Sequence, residues 1–170
     1  MSNIGQLKIN IPPSLTITKF YFDLNFYTLK FTGNLGSISI NLPNSIEIKN
    51  NGDSLSVYST DKVMWGTSRN LINQAIIGVT IGYSKKLEII GIGYKVTLNN
   101  NLLTFYLGKS HPVIIPVIKD IKINILNPTT IIASSISNHL LSGFLHSIRL
   151  IKPASKDHYK GKGLKVSSNL

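Results

Sequence analysis

The feature that most constrains the fold is an order of hydrophobic periodicities that occurs twice in the 170-residue chain. In each half, short segments with apolar residues at every second position precede one segment with a helical spacing. Residues 37–42 alternate strictly, whereas Ile72, Ala75, Ile76 and Val79 recur every three to four positions. Strands followed by a helix are typical of an antiparallel α+β unit. We therefore predict an α+β fold of two tandem similar domains, 1–82 and 83–170, each with an antiparallel sheet packed against one helix.

The predicted elements follow the same order in both halves. In the first half, a helix from about 61 to 80 follows strands at 15–18, 26–31, 37–42, 46–48 and 55–58. In the second half, a helix from Ser137 to Pro153 follows strands at 87–90, 94–98, 102–107, 121–125 and 129–132. Residues 1–12 are predicted to be a polar lead, and the segment after Pro153 is predicted to contain a basic loop.

The charge of the chain is strongly positive and unevenly distributed. The net charge is +11 and the isoelectric point is about 9.9. Residues 1–82 carry six basic and four acidic side chains, whereas residues 83–170 carry twelve basic and three acidic ones. A chain this basic is typical of a protein with a polyanionic partner, either nucleic acid or an anionic membrane surface. We expect the polyanion site in the second half.

Three segments of the second half combine glycine with basic residues. The segments are 85–95, with Lys85, Lys86 and Lys95 around Gly-Ile-Gly, 108–112 (Gly-Lys-Ser-His-Pro) and 159–165 (Tyr-Lys-Gly-Lys-Gly-Leu-Lys). Glycine lets a backbone adopt positive φ and approach a partner closely, and each lysine can reach a separate phosphate oxygen. The pattern favours a phosphate-binding surface. For 159–165 alone, a frayed basic tail is the alternative interpretation.

The sequence offers little for catalysis or for metal binding. There is no cysteine, so disulfides and thiolate metal sites are excluded. His139 and His146 could share a helix face, but no carboxylate lies near them in sequence. Residues 91–93 lack the third glycine and the following helix of a dinucleotide-binding motif. No apolar run reaches the roughly 18 residues of a membrane-spanning helix. We predict a non-enzymatic protein without a cofactor or metal.

Four motifs, in this order, carry a resemblance to a known family. They are Ile-Gly-Val-Thr at 77–80, Lys-Leu-Glu-Ile-Ile-Gly-Ile-Gly-Tyr-Lys at 86–95, Leu-Gly-Lys-Ser-His-Pro-Val at 107–113 and Tyr-Lys-Gly-Lys-Gly-Leu at 159–164. With them, nearly the whole chain resembles the universal family of large-subunit ribosomal protein six. The resemblance implies two similar α+β domains and a non-enzymatic protein of the large ribosomal subunit. Its implied partners are large-subunit rRNA and neighbouring ribosomal proteins, with a docking site close to the sarcin–ricin loop, where translational GTPases act.

The resemblance also implies which residues face the RNA. By motif position these are Lys86, Lys95, Lys109, Ser110, His111, Tyr159, Lys160, Lys162 and Lys165. Their neighbours Lys85, Gly161 and Gly163 complete the candidate set. One departure from the family is the connection 153–158, which is longer than the usual proline-containing link.

Composition suggests a compartment, and the charge leaves one alternative function open. Isoleucine and asparagine are abundant and lysine outnumbers arginine 16 to 2, as in proteins from AT-rich genomes. We expect a mitochondrial ribosome, with a plastid or the bacterial cytoplasm as alternatives. The alternative function is a basic peripheral adaptor for an anionic membrane surface. Such adaptors usually present an amphipathic helix with a basic face, but the second helix carries only Arg149 and Lys152 near its end.

Overall fold

The structure, a computed structural model, describes residues 5–21, 25–154 and 162–167. The chain forms two compact units, Met1–Gly82 and Tyr83–Leu170. In the described residues, each unit contains one helix and two sheets whose strands are all paired antiparallel. The predicted α+β fold with two similar sheet-rich halves is confirmed.

The elements of each unit run in the predicted order. Unit 1 contains β1 (Ile9–Asn10), β2 (Thr16–Tyr21), β3 (Phe26–Gly33), β4 (Gly36–Pro43), β5 (Ile46–Asn50), β6 (Ser54–Ser59) and α1 (Lys62–Thr80). Unit 2 contains β7 (Tyr83–Ile90), β8 (Lys95–Asn99), β9 (Leu102–Tyr106), β10 (Val113–Pro116), β11 (Ile121–Asn127), β12 (Thr130–Ser135), α2 (Asn138–Ile151) and β13 (Gly163–Ser167).

The chain passes through the sheets of both units in the same order. Unit 1 has the strand orders β1-β6-β5 and β2-β3-β4, and unit 2 has β7-β12-β11 and β8-β9-β10. Every strand of unit 1 therefore has a counterpart in unit 2. The difference is β13, which pairs with the free side of β7 and extends that sheet to four strands.

Alternation and helical spacing explain how unit 1 builds its core. On β3, Tyr27, Leu29 and Phe31 are buried while the residues between them point outward. On α1, buried Ile72, Ala75, Ile76 and Val79 face the sheets. The Tyr27 hydroxyl donates a hydrogen bond of 2.9 Å to the carbonyl oxygen of Ile46, so its polar end is satisfied inside the core.

Residues typical of helix ends lie at the boundaries of both helices. The Asp61 carboxylate accepts a hydrogen bond of 2.9 Å from the backbone N–H of Val63 at the start of α1. Gly82, with φ of 82°, follows the last turn. The Ser137 hydroxyl caps α2 through the N–H of Leu140 at 3.4 Å, and Pro153 follows the end of that helix.

One continuous core fills unit 2. Helix α2 packs on β7, β12 and β13, and it buries Leu141, Phe144, Leu145 and Ile148. Leu140, next to Leu141 in the first turn, is 39% exposed and lies at the border of this face. Complete burial of a leucine or phenylalanine side chain contributes about 1.5–3 kcal/mol, so these four residues hold the helix firmly on the sheet.

Three strands were not predicted from the sequence. Strand β1 lies in the predicted polar lead, β10 was not predicted, and β13 occupies part of the predicted basic loop. Strand β13 matters most, because Leu164 pairs with Ile89 and its side chain is fully buried in the unit 2 core. The end of the glycine-lysine motif is therefore part of the sheet.

Candidate nucleic-acid interface

Four segments of unit 2 meet at one end of the unit, which we call the loop end. They are the β7–β8 turn (91–94), the β9–β10 turn (107–112), the end of α2 with the residues that follow it (151–154) and the first residue of β13 with the one before it (162–163). Residue pairing places Gly163 opposite Ile90, next to the β7–β8 turn. The Lys109 Nζ donates to the carbonyl oxygen of Ile151 at 3.2 Å, which joins the β9–β10 turn to the helix. The loop end thus contains parts of all three predicted basic segments.

Gly163 holds the last of these segments against the end of α2. It is buried with φ of 148°, and a Cβ atom there would lie 2.5 Å from the Ala154 Cα and 2.6 Å from the Pro153 oxygen. The Leu164 N–H donates to the Lys152 carbonyl oxygen at 2.8 Å. A glycine is therefore required here by close contact within the protein. Lys162, immediately before β13, is exposed to solvent.

The β7–β8 turn presents one apolar side chain to solvent. Gly91 and Gly93 have φ of 155° and 75°, values that L side chains rarely adopt. Between them, the Ile92 side chain is 94% exposed. Tyr94 folds back instead, and its ring lies so close to Gly91 that a Cβ there would be 2.5 Å from the ring Cε2.

The β9–β10 turn contributes three candidate residues. Ser110, His111 and Lys109 are exposed, and the Lys109 amine donates to the last carbonyl group of α2. A lysine near a helix C-terminus is favourable because it faces the negative end of the helix dipole. The turn therefore adds a cation, a hydroxyl and an imidazole to the loop end.

Lys86 and Lys165 lie on a different surface, the solvent face of the four-stranded sheet. Lys86 forms an ion pair with Glu88 at 2.7 Å, and Lys165 is directly opposite Glu88 on β13. The hydrogen bond from Lys86 and its charge, with the weaker influence of Lys165, lower the pKa of the Glu88 carboxyl. This face therefore carries one partly neutralised lysine and one exposed lysine.

Lys85 and Lys95 lie on surfaces different from that of Lys86. Successive side chains of a strand point to opposite faces, so Lys85 faces α2, where its Nζ donates to the Ser142 Oγ at 2.7 Å. Lys95 is exposed at the start of β8, with its Nζ 5.0 Å from the centroid of the Tyr106 ring. Lys95 borders the loop end, whereas Lys85 is held on the helix side.

Sequence reasoning did not assign a role to Lys152 or Tyr94. The Lys152 Nζ donates to the Tyr94 hydroxyl and to the Leu107 carbonyl oxygen at 2.8 Å. The available signal was the position of Lys152, one residue after α2 and one before Pro153, but nothing in the sequence identifies its partner 58 residues earlier.

Tyr159, Lys160 and Gly161 lie outside the described residues, as do 155–158 of the lengthened connection.

The described part of the chain was also compared with the requirements of a metal site and of a membrane-spanning helix. Among those residues, no group of three or more His, Asp or Glu side chains could hold a metal ion. Nor does any helix in the described ranges have the length and apolar character needed to cross a membrane.

Comparison with known proteins identifies the family. Residues 90–166 match the family described as ribosomal protein L6. Over 173 residues the chain is 32% identical to large ribosomal subunit protein uL6 of Clostridium novyi, covering 100% of this chain and 94% of the relative. The chain belongs to the ribosomal protein L6 family.

Two further relatives support membership in the ribosomal protein L6 family. The uL6 protein of Xanthobacter autotrophicus is 35% identical, with coverage of 98% of this chain and 93% of the relative. That of Mycoplasmopsis pulmonis is 34% identical, with coverage of 96% and 90%. These proteins are structural and not catalytic, in agreement with the predicted non-enzymatic role, and all three come from bacteria. The family match includes the β7–β8 turn, the β9–β10 turn and β13 up to residue 166.

Proposed function

We propose that this protein is a structural constituent of the large ribosomal subunit and that it binds large-subunit rRNA through the loop end of unit 2. The observation that carries the proposal is the convergence of parts of three glycine-containing basic segments, 85–95, 108–112 and 159–165, on one end of the unit. Membership in the ribosomal protein L6 family supports the assignment of this protein to the large ribosomal subunit. The resemblance to the family further suggests a position near the sarcin–ricin loop, beside translational GTPases and neighbouring ribosomal proteins.

The exposed groups of the loop end suit a phosphate backbone. Lys162, Lys95 and Lys109 supply cations, and Ser110 and His111 supply hydrogen-bonding groups. Contacts of this kind fix the orientation of a protein on nucleic acid without reading its sequence. We also propose Tyr159, Lys160 and Gly161 as RNA contacts, because they precede Lys162 in the same motif.

The solvent face of the four-stranded sheet offers a second, weaker contact area. Lys86 and Lys165 lie there with Glu88 between them. Lys85 is left out of the proposed interface, because it is half-buried on the helix side of the sheet, where its amine donates to Ser142.

The Ile92 side chain adds an apolar element to this basic surface. Double-helical RNA has a wide, shallow minor groove lined by sugars and base edges. A side chain that is 94% exposed at the tip of a turn can reach into such a groove while the surrounding lysines contact phosphates. Ile92 would then contribute shape recognition without charge.

For the compartment, we propose a mitochondrial ribosome on the basis of the lysine-rich, isoleucine-rich and asparagine-rich composition. The bacterial cytoplasm is the alternative, and the bacterial origin of the relatives supports it. Fractionation of the source cells, with an antibody against this chain, distinguishes a mitochondrial ribosome from a cytoplasmic one.

The RNA-binding proposal is tested with the full chain and a transcript of the sarcin–ricin region of large-subunit rRNA. Affinity is measured at several salt concentrations for the wild type, Lys162→Gln and the control Lys119→Gln. Lys119 is exposed in a turn tied to Asn101 by the Val117 N–H, at the end of β8–β10 opposite to Lys95.

Loss of one phosphate contact lowers the log–log salt slope by about 0.7–0.9, so we expect this change for Lys162→Gln and none for Lys119→Gln. Equal slopes for all three proteins would contradict the assigned interface. Co-sedimentation of the native protein with the large subunit supports the proposed function. Flotation with anionic liposomes, and no co-sedimentation with the large subunit, would favour the membrane adaptor.

A further inference from the structure

Lys152 connects three segments of the loop end through one amine. Its Nζ donates to the Leu107 carbonyl oxygen at 2.8 Å and to the Tyr94 hydroxyl. The same nitrogen lies 4.5 Å from the centroid of the Tyr94 ring, on the side of the ring that carries the hydroxyl. Lys152 follows α2 directly, so the helix end, the β7–β8 turn and the β9–β10 turn are joined at this point.

The position of the Tyr94 ring depends on glycines from two separate turns. A Cβ atom on Gly91 would lie 2.5 Å from the ring Cε2, and one on Gly108 would lie 3.1 Å from Cε1. Distances below 3.0 Å do not occur for real Cβ contacts, and those up to 3.4 Å are unusually tight. The ring position therefore requires the glycine at 91, and it lies tightly against Gly108.

These contacts direct the Lys152 amine into the protein. The side chain is half-buried, and two of the three N–H donors of an ammonium group have partners within the protein. A lysine held in this way is poorly placed to reach a phosphate. Its contacts instead fix the relative positions of turns that carry exposed candidate residues, and preorganisation of this kind reduces the entropy lost on binding.

We propose that Tyr94 and Lys152 act as positioning residues that hold the β7–β8 and β9–β10 turns in the geometry that binds RNA, without contacting phosphate themselves. This inference rests on the proposed function. It distinguishes Lys152 from Lys162, which lies on the same end of the unit but is exposed.

The test compares variants that remove parts of this arrangement in the full chain. Tyr94→Phe deletes one hydroxyl and leaves the net charge unchanged, and Lys152→Met removes the amine but keeps an unbranched side chain. Lys152→Arg restores a charged donor. Lys119→Met is the matched control, because it removes one exposed lysine from the opposite end of β8–β10. Affinity and salt slope are measured with the sarcin–ricin transcript, well below the melting temperature of each variant.

We expect Tyr94→Phe and Lys152→Met each to weaken binding about three- to tenfold, the range for one hydrogen bond, with an unchanged salt slope. The double variant should be no weaker than Lys152→Met within about twofold, because the two residues act as one unit. Lys152→Arg should recover most of the affinity, and Lys119→Met should bind like the wild type.

Two results would overturn the inference. One is a salt slope lowered by about 0.7–0.9 in Lys152→Met together with wild-type affinity of Tyr94→Phe, which identifies Lys152 as a phosphate contact. The other is a lowered melting temperature of both variants with wild-type affinity, which identifies a purely structural role.

Failure of the wild type to bind the transcript would instead contradict the proposed function. In that case hydrogen exchange of the free protein tests the positioning contacts separately. Faster exchange of the Tyr94 amide, which donates to the Gly91 carbonyl oxygen at 3.3 Å, is expected in both variants. Unchanged exchange throughout 91–94 and 107–111 would overturn the positioning role.

Discussion

Gly163→Ala is the substitution for which the structure gives the sharpest expectation. An added Cβ at this position meets backbone atoms of Pro153 and Ala154 at 2.5–2.6 Å, and backbone atoms cannot move aside as the end of a flexible side chain can. The residue also has φ of 148°, which is unfavourable for any L side chain. Two separate costs are therefore expected from one methyl group.

Substitutions at two other glycines of unit 2 allow the backbone cost and the packing cost to be measured separately. Gly93 has φ of 75° and open space around its Cβ position, and Gly143 lies inside α2, also with open space. Gly93→Ala thus carries only the backbone cost, about 1–2 kcal/mol for a left-handed conformation. Gly143→Ala should stabilise the protein by about 0.5–1 kcal/mol, because glycine is unfavourable within a helix. Gly163→Ala adds an overpacking cost of about 1–3 kcal/mol to its backbone strain of about 1–3 kcal/mol.

Thermal unfolding followed by circular dichroism measures these differences. For a domain of 60–100 residues, 1 kcal/mol shifts the melting temperature by about 4–8 °C. Unit 2, which spans 83–170, is of this size, so we expect Gly163→Ala to melt at least about 8 °C below the wild type. We expect an intermediate decrease for Gly93→Ala and a small increase for Gly143→Ala. A Gly163→Ala variant that melts with or above Gly93→Ala would refute the close contact between β13 and the end of α2.

Two further predictions concern charged residues of unit 2. Because its pKa is lowered in the folded state, the Glu88 carboxylate stabilises the fold above the usual glutamate range near 4.5, and this contribution is lost as the pH falls through the lowered pKa. For a pair about one-third exposed the effect is at most about 1 kcal/mol, and urea unfolding from pH 6 to 3 should show it in the wild type but not in Glu88→Gln. For Lys85→Met we expect an unchanged salt slope for RNA binding but lower stability, because the amine contacts Ser142 and not the loop end; a slope lowered as in Lys162→Gln would contradict this.

Sequence patterns correctly predicted those helices and turns that are determined by residues close together in the chain. The spacing of Ile72, Ala75, Ile76 and Val79 predicted α1, and the structure buries all four. Asn100 and Asn101 adopt φ of 47° and 61°, as expected of asparagines in a tight turn between two strands. The helix predicted from Ser137 likewise begins there, with Ser137 as its capping residue.

The features that sequence reasoning missed depend on distant partners. Strand β13 contains glycine and lysine, which are typical of loops, and its conformation is stabilised by pairing with β7 about 75 residues earlier. Lys85 and Lys86 were grouped together because the predicted strand began at residue 87. The observed strand begins at Tyr83, so the two side chains point to opposite faces. The contact between Tyr94 and Lys152 has no local signal at all.

The pairing of β13 with β7 also affects the order in which the protein can fold during its own synthesis. Chains emerge from the N-terminus and tend to fold unit by unit, and every strand of unit 1 has its described partners within the first 59 residues. In unit 2, the strand that is made first is covered on one side by the strand that is made last. Until residues 163–167 are available, β7 exposes the hydrogen-bonding groups of an unpaired edge, which readily accept a strand from another chain. The β7 edge is therefore open to wrong pairing until almost the whole of unit 2 has been translated, whereas the last strand of unit 1, which pairs with β1, is complete by residue 59.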